Sequence, residues 1–137
     1  MNRLNGTVAS LETEGDISLV EVEVPGGRLF SLVLESEATS GYLAPGSKVT
    51  AQFKESEVAL APGAAPLLSI RNRLPCVIRS IREGRLLTHL ILEFGRSELH
   101  SLISTRALHE LGLRAGSDVT ALIKATEVGL AEGHVQS

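Results

Sequence analysis

The chain has 137 residues, of which 43% are hydrophobic and 21% charged, so it can bury the core of one ordinary domain or of two very small ones. A formal net charge of −3 and an aromatic content of 3% argue against nucleic acid as a partner, because such surfaces need basic patches and stacking rings. The single cysteine, Cys76, excludes an intrachain disulfide. No signal peptide and no membrane-spanning run is recognisable, so we expect a cytoplasmic protein with no membrane partner.

The first half of the chain is predicted to be mostly strand. Pro25-Gly26-Gly27 has the composition of a hairpin turn, and Pro45-Gly46 that of a later turn. The apolar run "VTAQFKESEV" follows from Val49 to Val58, and residues 62–68, rich in Pro, Gly and Ala, are predicted to be a linker.

The second half follows the same plan. "CVIRSIRE", "LLTHLILEF" and "ELHSLIS" have the β-branched and alternating pattern of strands, with a turn at Gly95-Arg96-Ser97. "TRALHELGL" is the exception, because Ala107, Leu108 and Leu111 fall at helical spacing and Gly112 suits a helix C-cap. "VTALIKATEVGLA" is predicted to close the unit as strands.

The two halves are copies of one unit of about 65 residues. When the chain is shifted by 70 residues, Leu43–Ala61 lies on Leu113–Ala131 with 11 of 19 positions identical. The predicted organisation is a first domain at 1–61, a linker at 62–68, a second domain at 69–133 and a tail at 134–137. Five short strands and one short helix per unit predict an all-β protein of two tandem OB-like five-stranded β-barrels. Units this small bury little surface alone, so we also expect self-association.

The opening phrase "SIRNRLPCVIRSI" and the closing phrase "VTALIKATEV" together resemble the Mop domain of the molbindins, a TOBE-type domain, and the tandem resembles the di-Mop molbindins. The resemblance implies reversible binding of molybdate or tungstate at interfaces between domains or subunits, for storage or homeostasis. It also implies a homotrimer, with a dimer as the alternative, and no catalysis. A related domain occurs in the molybdate-responsive transcription regulator and in the ATPase of the molybdate transporter, so a sensing module is the alternative function.

A tetrahedral oxyanion needs converging N–H and O–H donors and one or two positive charges. The resemblance places ligand roles on the oxyanion-binding candidates of the second unit: Ser69, Arg71, Asn72, Ser104, Lys124 and Thr126. In each phrase two polar residues stand two apart, Ser69 with Arg71 and Lys124 with Thr126, and would share a face if the phrase were a strand.

The first unit carries a weaker version of the pattern. Lys54, Ser56 and Asn2 are its candidates, but the Ser-x-Arg phrase is missing and Glu55 replaces a small residue. We therefore expect fewer working sites than a symmetric tandem would have.

Simpler structural roles remain open for several of these residues. Lys124 would also suit an edge strand protected against aggregation, Arg71 an ordinary solvated surface, and Asn2 and Asn72 turns. The four histidines show no metal-ligand spacing, and His89 and His100 are predicted to be surface or interface residues. No metal is expected as a direct ligand, and Cys76 is predicted to be a small buried residue.

Overall fold

The computed structural model of the protein describes residues 1–36 and 40–136. Within these residues the chain forms two five-stranded antiparallel sheets. The first sheet contains β1 (Asn2–Glu14), β2 (Ile17–Val24), β3 (Gly27–Val33), β4 (Lys48–Phe53) and β10 (Gly129–Glu132), and the second contains β5 (Ala59–Pro62), β6 (Asn72–Glu83), β7 (Leu87–Phe94), β8 (Ser97–Ser104) and β9 (Asp118–Ile123). The predicted pair of five-stranded, OB-like β units is confirmed.

The local predictions also hold in detail. A two-residue turn, Pro25-Gly26, joins β2 to β3, and Gly95-Arg96 joins β7 to β8. One helix, α1 (Thr105–Leu111), lies in the second unit, and Gly112 ends it in the left-handed conformation at φ 62°. The matching stretch of the first unit includes residues 37–39, which lie outside the described residues, so the helix predicted there is not described.

The two sheets exchange their last strands. β5, from the first unit, pairs with β9, so that Leu60 lies opposite Ala121. β10, from the second unit, pairs in the same way with β4, and Leu130 lies opposite Ala51. The two sheets therefore do not coincide with the stretches 1–61 and 69–133 that were predicted as domains, because each sheet contains a strand from the other stretch.

The core follows from alternation along each strand. In β2 the residues Val20, Val22 and Val24 are buried while their neighbours are not, and in β7 Leu90, Leu92 and Phe94 repeat the pattern. The exchanged strands also hold the two sheets together, because each sheet contains one strand supplied by the other repeat. No helix among the described residues is long and apolar enough to cross a membrane.

Candidate functional site

The two lysine phrases form tight turns where the chain crosses from one sheet to the other. β4 ends at Phe53 and β9 at Ile123, and a 3₁₀ turn follows each strand, over Glu55–Glu57 and Ala125–Glu127. Lys54 and Lys124 cap these turns from extended backbone conformations, and both side chains are exposed. The prediction that Lys124 and Thr126 share a strand face is therefore wrong, because the chain leaves its sheet at Lys124.

Backbone hydrogen bonds close both turns in the same way. The Glu57 amide donates to the Lys54 carbonyl at 3.0 Å, and the Glu127 amide donates to the Lys124 carbonyl at 2.9 Å. In the first turn the Glu57 carboxylate also accepts a hydrogen bond from the Lys54 amide at 2.9 Å. None of these bonds uses a lysine side chain, and both lysines are exposed, as are the hydroxyl residues two positions later, Ser56 and Thr126.

Each turn packs on the sheet of the other unit. The turn at Ala125–Glu127 lies against β3, and the turn at Glu55–Glu57 lies against β8. A buried serine anchors each contact: the Ser101 hydroxyl donates to the Val58 carbonyl at 2.8 Å, and the Ser31 hydroxyl donates to the Val128 carbonyl. Both lysine turns therefore lie at the seam between the two units.

Asn2 and Asn72 clamp the seam through their amides. The Asn72 amide nitrogen donates to the Phe30 carbonyl at 2.8 Å, and its oxygen accepts from the Phe30 amide at 2.7 Å. Asn2 makes the same two bonds to His100, at 2.9 and 2.8 Å. Both asparagines are buried. Their side chains thus have a structural partner on the opposite unit, and neither is held in a turn.

Arg71 lies beside the Asn72 clamp. Its guanidinium carbon is 4.2 Å from the centre of the Phe30 ring, a cation–π contact that orients the side chain over β3. Ser69 and Arg71 are both exposed and precede β6, which begins at Asn72. The prediction that they share a strand face is also wrong, because these two residues lie in bends.

Ser104 ends β8 and caps α1. Its hydroxyl oxygen accepts a hydrogen bond from the Ala107 amide at 3.1 Å, which leaves its own O–H free to donate elsewhere. Its side chain is exposed.

Two predicted residues from different units line one groove. A cavity of about 670 Å³, here called the first groove, is lined by Lys54 and Thr126. Met1 and Leu34 also line it, together with the carboxylates of Glu35, Glu57 and Glu127. The structure thus brings the lysine of one turn close to the hydroxyl residue of the other, which sequence reasoning had assigned to separate pairs.

The 70-residue repeat relates the first groove to a second set of residues. Met1, Leu34, Lys54 and Thr126 correspond to Arg71, Ser104, Lys124 and Ser56. By this correspondence we infer that these four residues line an equivalent groove, here called the second groove, and all four are predicted oxyanion ligands. The equivalent strand pairings, clamps and turn contacts of the two units support this correspondence.

A histidine pair beside the seam was missed by sequence reasoning. His89 Nε2 and His100 Nδ1 are 2.8 Å apart, which is too short for stacked rings, whose atoms stay roughly 3.5 Å apart. The pair is therefore hydrogen-bonded, with ring planes 16° apart. His100 Nε2 is 3.0 Å from a Glu98 carboxylate oxygen, so in the neutral state His100 donates to Glu98 and His89 donates to His100. The sequence feature that could have revealed this pair is the two-residue turn at Gly95. It sets the register between β7 and β8, which places both imidazole rings on one face of the sheet.

Ionisation in this network follows from its contacts. Burial, then the neighbouring His100 and Arg82, lower the pKa of His89 below its ordinary value of 6.5. The hydrogen bond from His100, followed by that from Arg79, lowers the pKa of Glu98. Over residues 1–36 and 40–136 no three His, Cys, Asp or Glu side chains converge as metal ligands.

A larger cavity lies away from all predicted site residues. Its volume is about 730 Å³, and it lies between the linker and the outer face of β6. Arg73, Glu93 and Asp118 line it together with Pro75 and Val77. None of the predicted oxyanion-binding residues lines this cavity, so we place the candidate site at the lysine turns instead.

Comparison with known proteins gives a consistent result. The TOBE domain family model matches residues 1–60 and 68–130. The chain is 34% identical to the molybdenum-pterin-binding protein MopA of Rhodobacter capsulatus over 91% of its own length, and 32% identical to the molybdenum import ATP-binding protein ModC of Brucella abortus over 58%. These matches span 46% of MopA and 23% of ModC, so the chain covers less than half of these relatives.

A solved structure resembles the whole fold. The crystal structure of ModG, a cytoplasmic molybdate-binding protein with molybdate bound, matches with a TM-score of 0.88 and 32% sequence identity. The match covers 96% of this chain and 95% of ModG.

Proposed function

Because the chain belongs to the TOBE-domain family, in a tandem Mop arrangement, we propose that it binds molybdate or tungstate reversibly, as an intracellular store or buffer of the oxyanion. The observation that carries the proposal is the likeness to ModG over 96% of the chain, since that relative holds molybdate. We propose binding and not catalysis, in the cytoplasm, by a homotrimer that has a dimer as its alternative.

The lysine turns are the proposed oxyanion contacts. Lys54 and Lys124 are exposed at the seam, and Ser56 and Thr126 add hydroxyl donors from the same turns. A dianion with four acceptor oxygens suits such a set, because compact charges and O–H donors complement it while carboxylates repel it. Ser69, Arg71 and Ser104 are the proposed further donors.

We propose that Asn2 and Asn72 support the site by positioning the two units. Their amides bind the backbone of the opposite unit, so in this role they hold the seam in register while neighbouring residues contact the anion. A seam of fixed width would also favour molybdate and tungstate over the smaller sulfate ion, because donors set for longer metal–oxygen bonds cannot close on a smaller anion.

The test is a calorimetric titration of the purified chain with molybdate, repeated in excess sulfate, with the mass of the oligomer measured in parallel. We expect Lys124→Ala to weaken binding at least about tenfold, the effect of losing roughly 1.4 kcal/mol. Lys48→Ala removes the same charge from an exposed position on β4 and should change affinity less than about twofold. Equal effects of the two substitutions, or no heat from the parent chain, would contradict the proposal.

The second candidate is a sensing module, favoured by the match to ModC over 81 residues. In that case the same anion would bind, but binding would alter the contact of this chain with an ATPase or a DNA-binding domain. A gene segment for such a partner domain, fused to the gene for this chain or next to it, would support this alternative.

A further inference from the structure

We infer that the two grooves are not equivalent: the second groove accepts an oxyanion, and the first groove rejects it through carboxylates that replace neutral residues. This inference rests on the proposed function and concerns which copy of the site operates. Its basis is the set of groove positions at which the two repeats carry different residues.

Besides Met1 in the place of Arg71, three exchanges distinguish the two grooves. Leu34 in the first groove stands where Ser104 stands in the second, which removes a hydroxyl donor. Glu35 stands in the place of Thr105 and also lines the first groove. Glu55, directly after Lys54 in the turn, stands in the place of Ala125.

Glu35 is held in place as a carboxylate. Its Oε2 accepts hydrogen bonds from the Tyr42 hydroxyl, at 3.0 Å, and from the Ser40 hydroxyl. These two bonds, that from Ser40 first, lower the pKa of Glu35. The side chain is therefore ionised at neutral pH, and it faces the cavity that Lys54 also lines.

Glu55 adds a second negative charge in the turn, directly after Lys54. Its carboxylate accepts a hydrogen bond from the Met1 amino group, which is the first cause of its lowered pKa. Its place in the turn next to Lys54 puts the charge beside the ammonium that an incoming anion would need. In the second groove the residue that corresponds to Glu55 is Ala125, so no carboxylate directly follows Lys124 in the sequence.

The charges decide which groove binds. The terminal ammonium of Met1, paired with Glu55, takes the place of the Arg71 guanidinium, so each groove has two positive charges when its lysine is included. Both grooves share Glu57 and Glu127 through the repeat, so Glu35 and Glu55 are the additional negative charges of the first. Each carboxylate within one or two side-chain lengths of a dianion, in largely aqueous surroundings, weakens binding roughly tenfold. Two of them, with one lost hydroxyl, weaken it about a hundredfold or more.

The experiment exchanges the determinants between the grooves. Equilibrium dialysis of the full chain against sodium molybdate, at fixed ionic strength, counts bound anion per chain. We expect Ala125→Glu to weaken the tight sites of the parent chain roughly tenfold. The triple variant Leu34→Ser, Glu35→Thr, Glu55→Ala should bind about twice as much tightly held anion as the parent. Glu12→Ala removes an exposed carboxylate from β1, away from both turns, and should alter neither quantity.

The outcomes separate this inference from the function it rests on. A parent chain that binds no molybdate overturns both. A parent chain that binds molybdate at two equal classes of site, or an Ala125→Glu variant that binds as the parent does, overturns the inference and leaves the function standing. Circular dichroism and the mass of the oligomer confirm that each variant keeps its fold, and Ala125→Gln, similar in size but neutral, separates charge from bulk.

Discussion

Removing the Asn72 side chain should loosen the seam between the two units. Asn72 is 1% exposed, and its amide makes two hydrogen bonds to the Phe30 backbone, at 2.7 and 2.8 Å. Each such bond contributes about 1 kcal/mol net to the free energy of unfolding. Asn72→Ala also leaves the half-buried N–H and C=O groups of Phe30 without their hydrogen-bond partner. We therefore expect the free energy of unfolding to fall by roughly 2–3 kcal/mol.

The Asn72→Asp substitution makes the test sharper. The ionised carboxylate that it introduces can still accept from the Phe30 amide, but its second oxygen faces the Phe30 carbonyl and repels it. At low pH the protonated carboxyl offers one donor and one acceptor, as the amide does. The Asn72→Asp variant should thus lose stability at neutral pH and regain part of it in acid, relative to the parent protein at each pH.

Urea denaturation at one fixed protein concentration measures these differences, because association adds to apparent stability. Asn5→Ala is the control and should cost less than about 1 kcal/mol, since its bonds to Val135 lie at the exposed surface. It also removes the Asn5 oxygen that accepts from the Thr50 hydroxyl, but that hydroxyl keeps the Gly133 carbonyl as an acceptor at 2.7 Å. Two results would refute the idea that the Asn72 amide stabilises the seam: a loss of unfolding free energy below about 0.5 kcal/mol in Asn72→Ala, or an Asn72→Asp variant whose stability relative to the parent does not change with pH.

Two further predictions concern titratable groups. Burial raises the pKa of the Cys76 thiol to about 11, so native protein should react with a thiol reagent far more slowly than urea-unfolded protein; equal rates would show that the thiol is accessible. Because the lowered pKa of His89 favours its neutral form in the fold, stability should be full above the unfolded value of 6.5 and decline as the pH falls through it. His89→Leu, which copies Leu19 of the first unit, should show a smaller drop in Tm between about pH 8 and pH 5.5 than the parent, and an equal drop would contradict the assignment.

Local features of the fold were predictable because short segments encode them. The Pro25-Gly26 and Gly95-Arg96 turns and the helix capped by Gly112 follow from residue types whose backbone preferences act within a few positions. The exchange of β5 and β10 was not predictable in this way. The strands β4 and β9, with which the last strands pair, share the sequence "VTA". The sequence therefore does not show whether a last strand pairs with its own unit or with the other one.

The residues proposed for the site could be selected from the sequence, but their arrangement in space could not. The repeat singled out Lys54 and Lys124, but their apolar flanks favoured a strand, and the 3₁₀ turns arise because the chain must change sheets there. The grouping of Lys54 with Thr126 depends on contacts between units, which no periodicity within one unit contains. The roles of Asn2 and Asn72 at the seam were hidden for the same reason.

The position of the lysine turns suggests why binding and assembly would be coupled. Each turn connects a strand of one sheet to a strand of the other, so an anion held by Lys124 would fix the crossover that delivers β10 to the first sheet. If the anion binds only the assembled form, its binding energy adds to the stability of the exchanged arrangement, at about 2.7 kcal/mol when the free anion is about a hundredfold above Kd. An exposed lysine with no packing role of its own would then stabilise the fold only when the ligand is present.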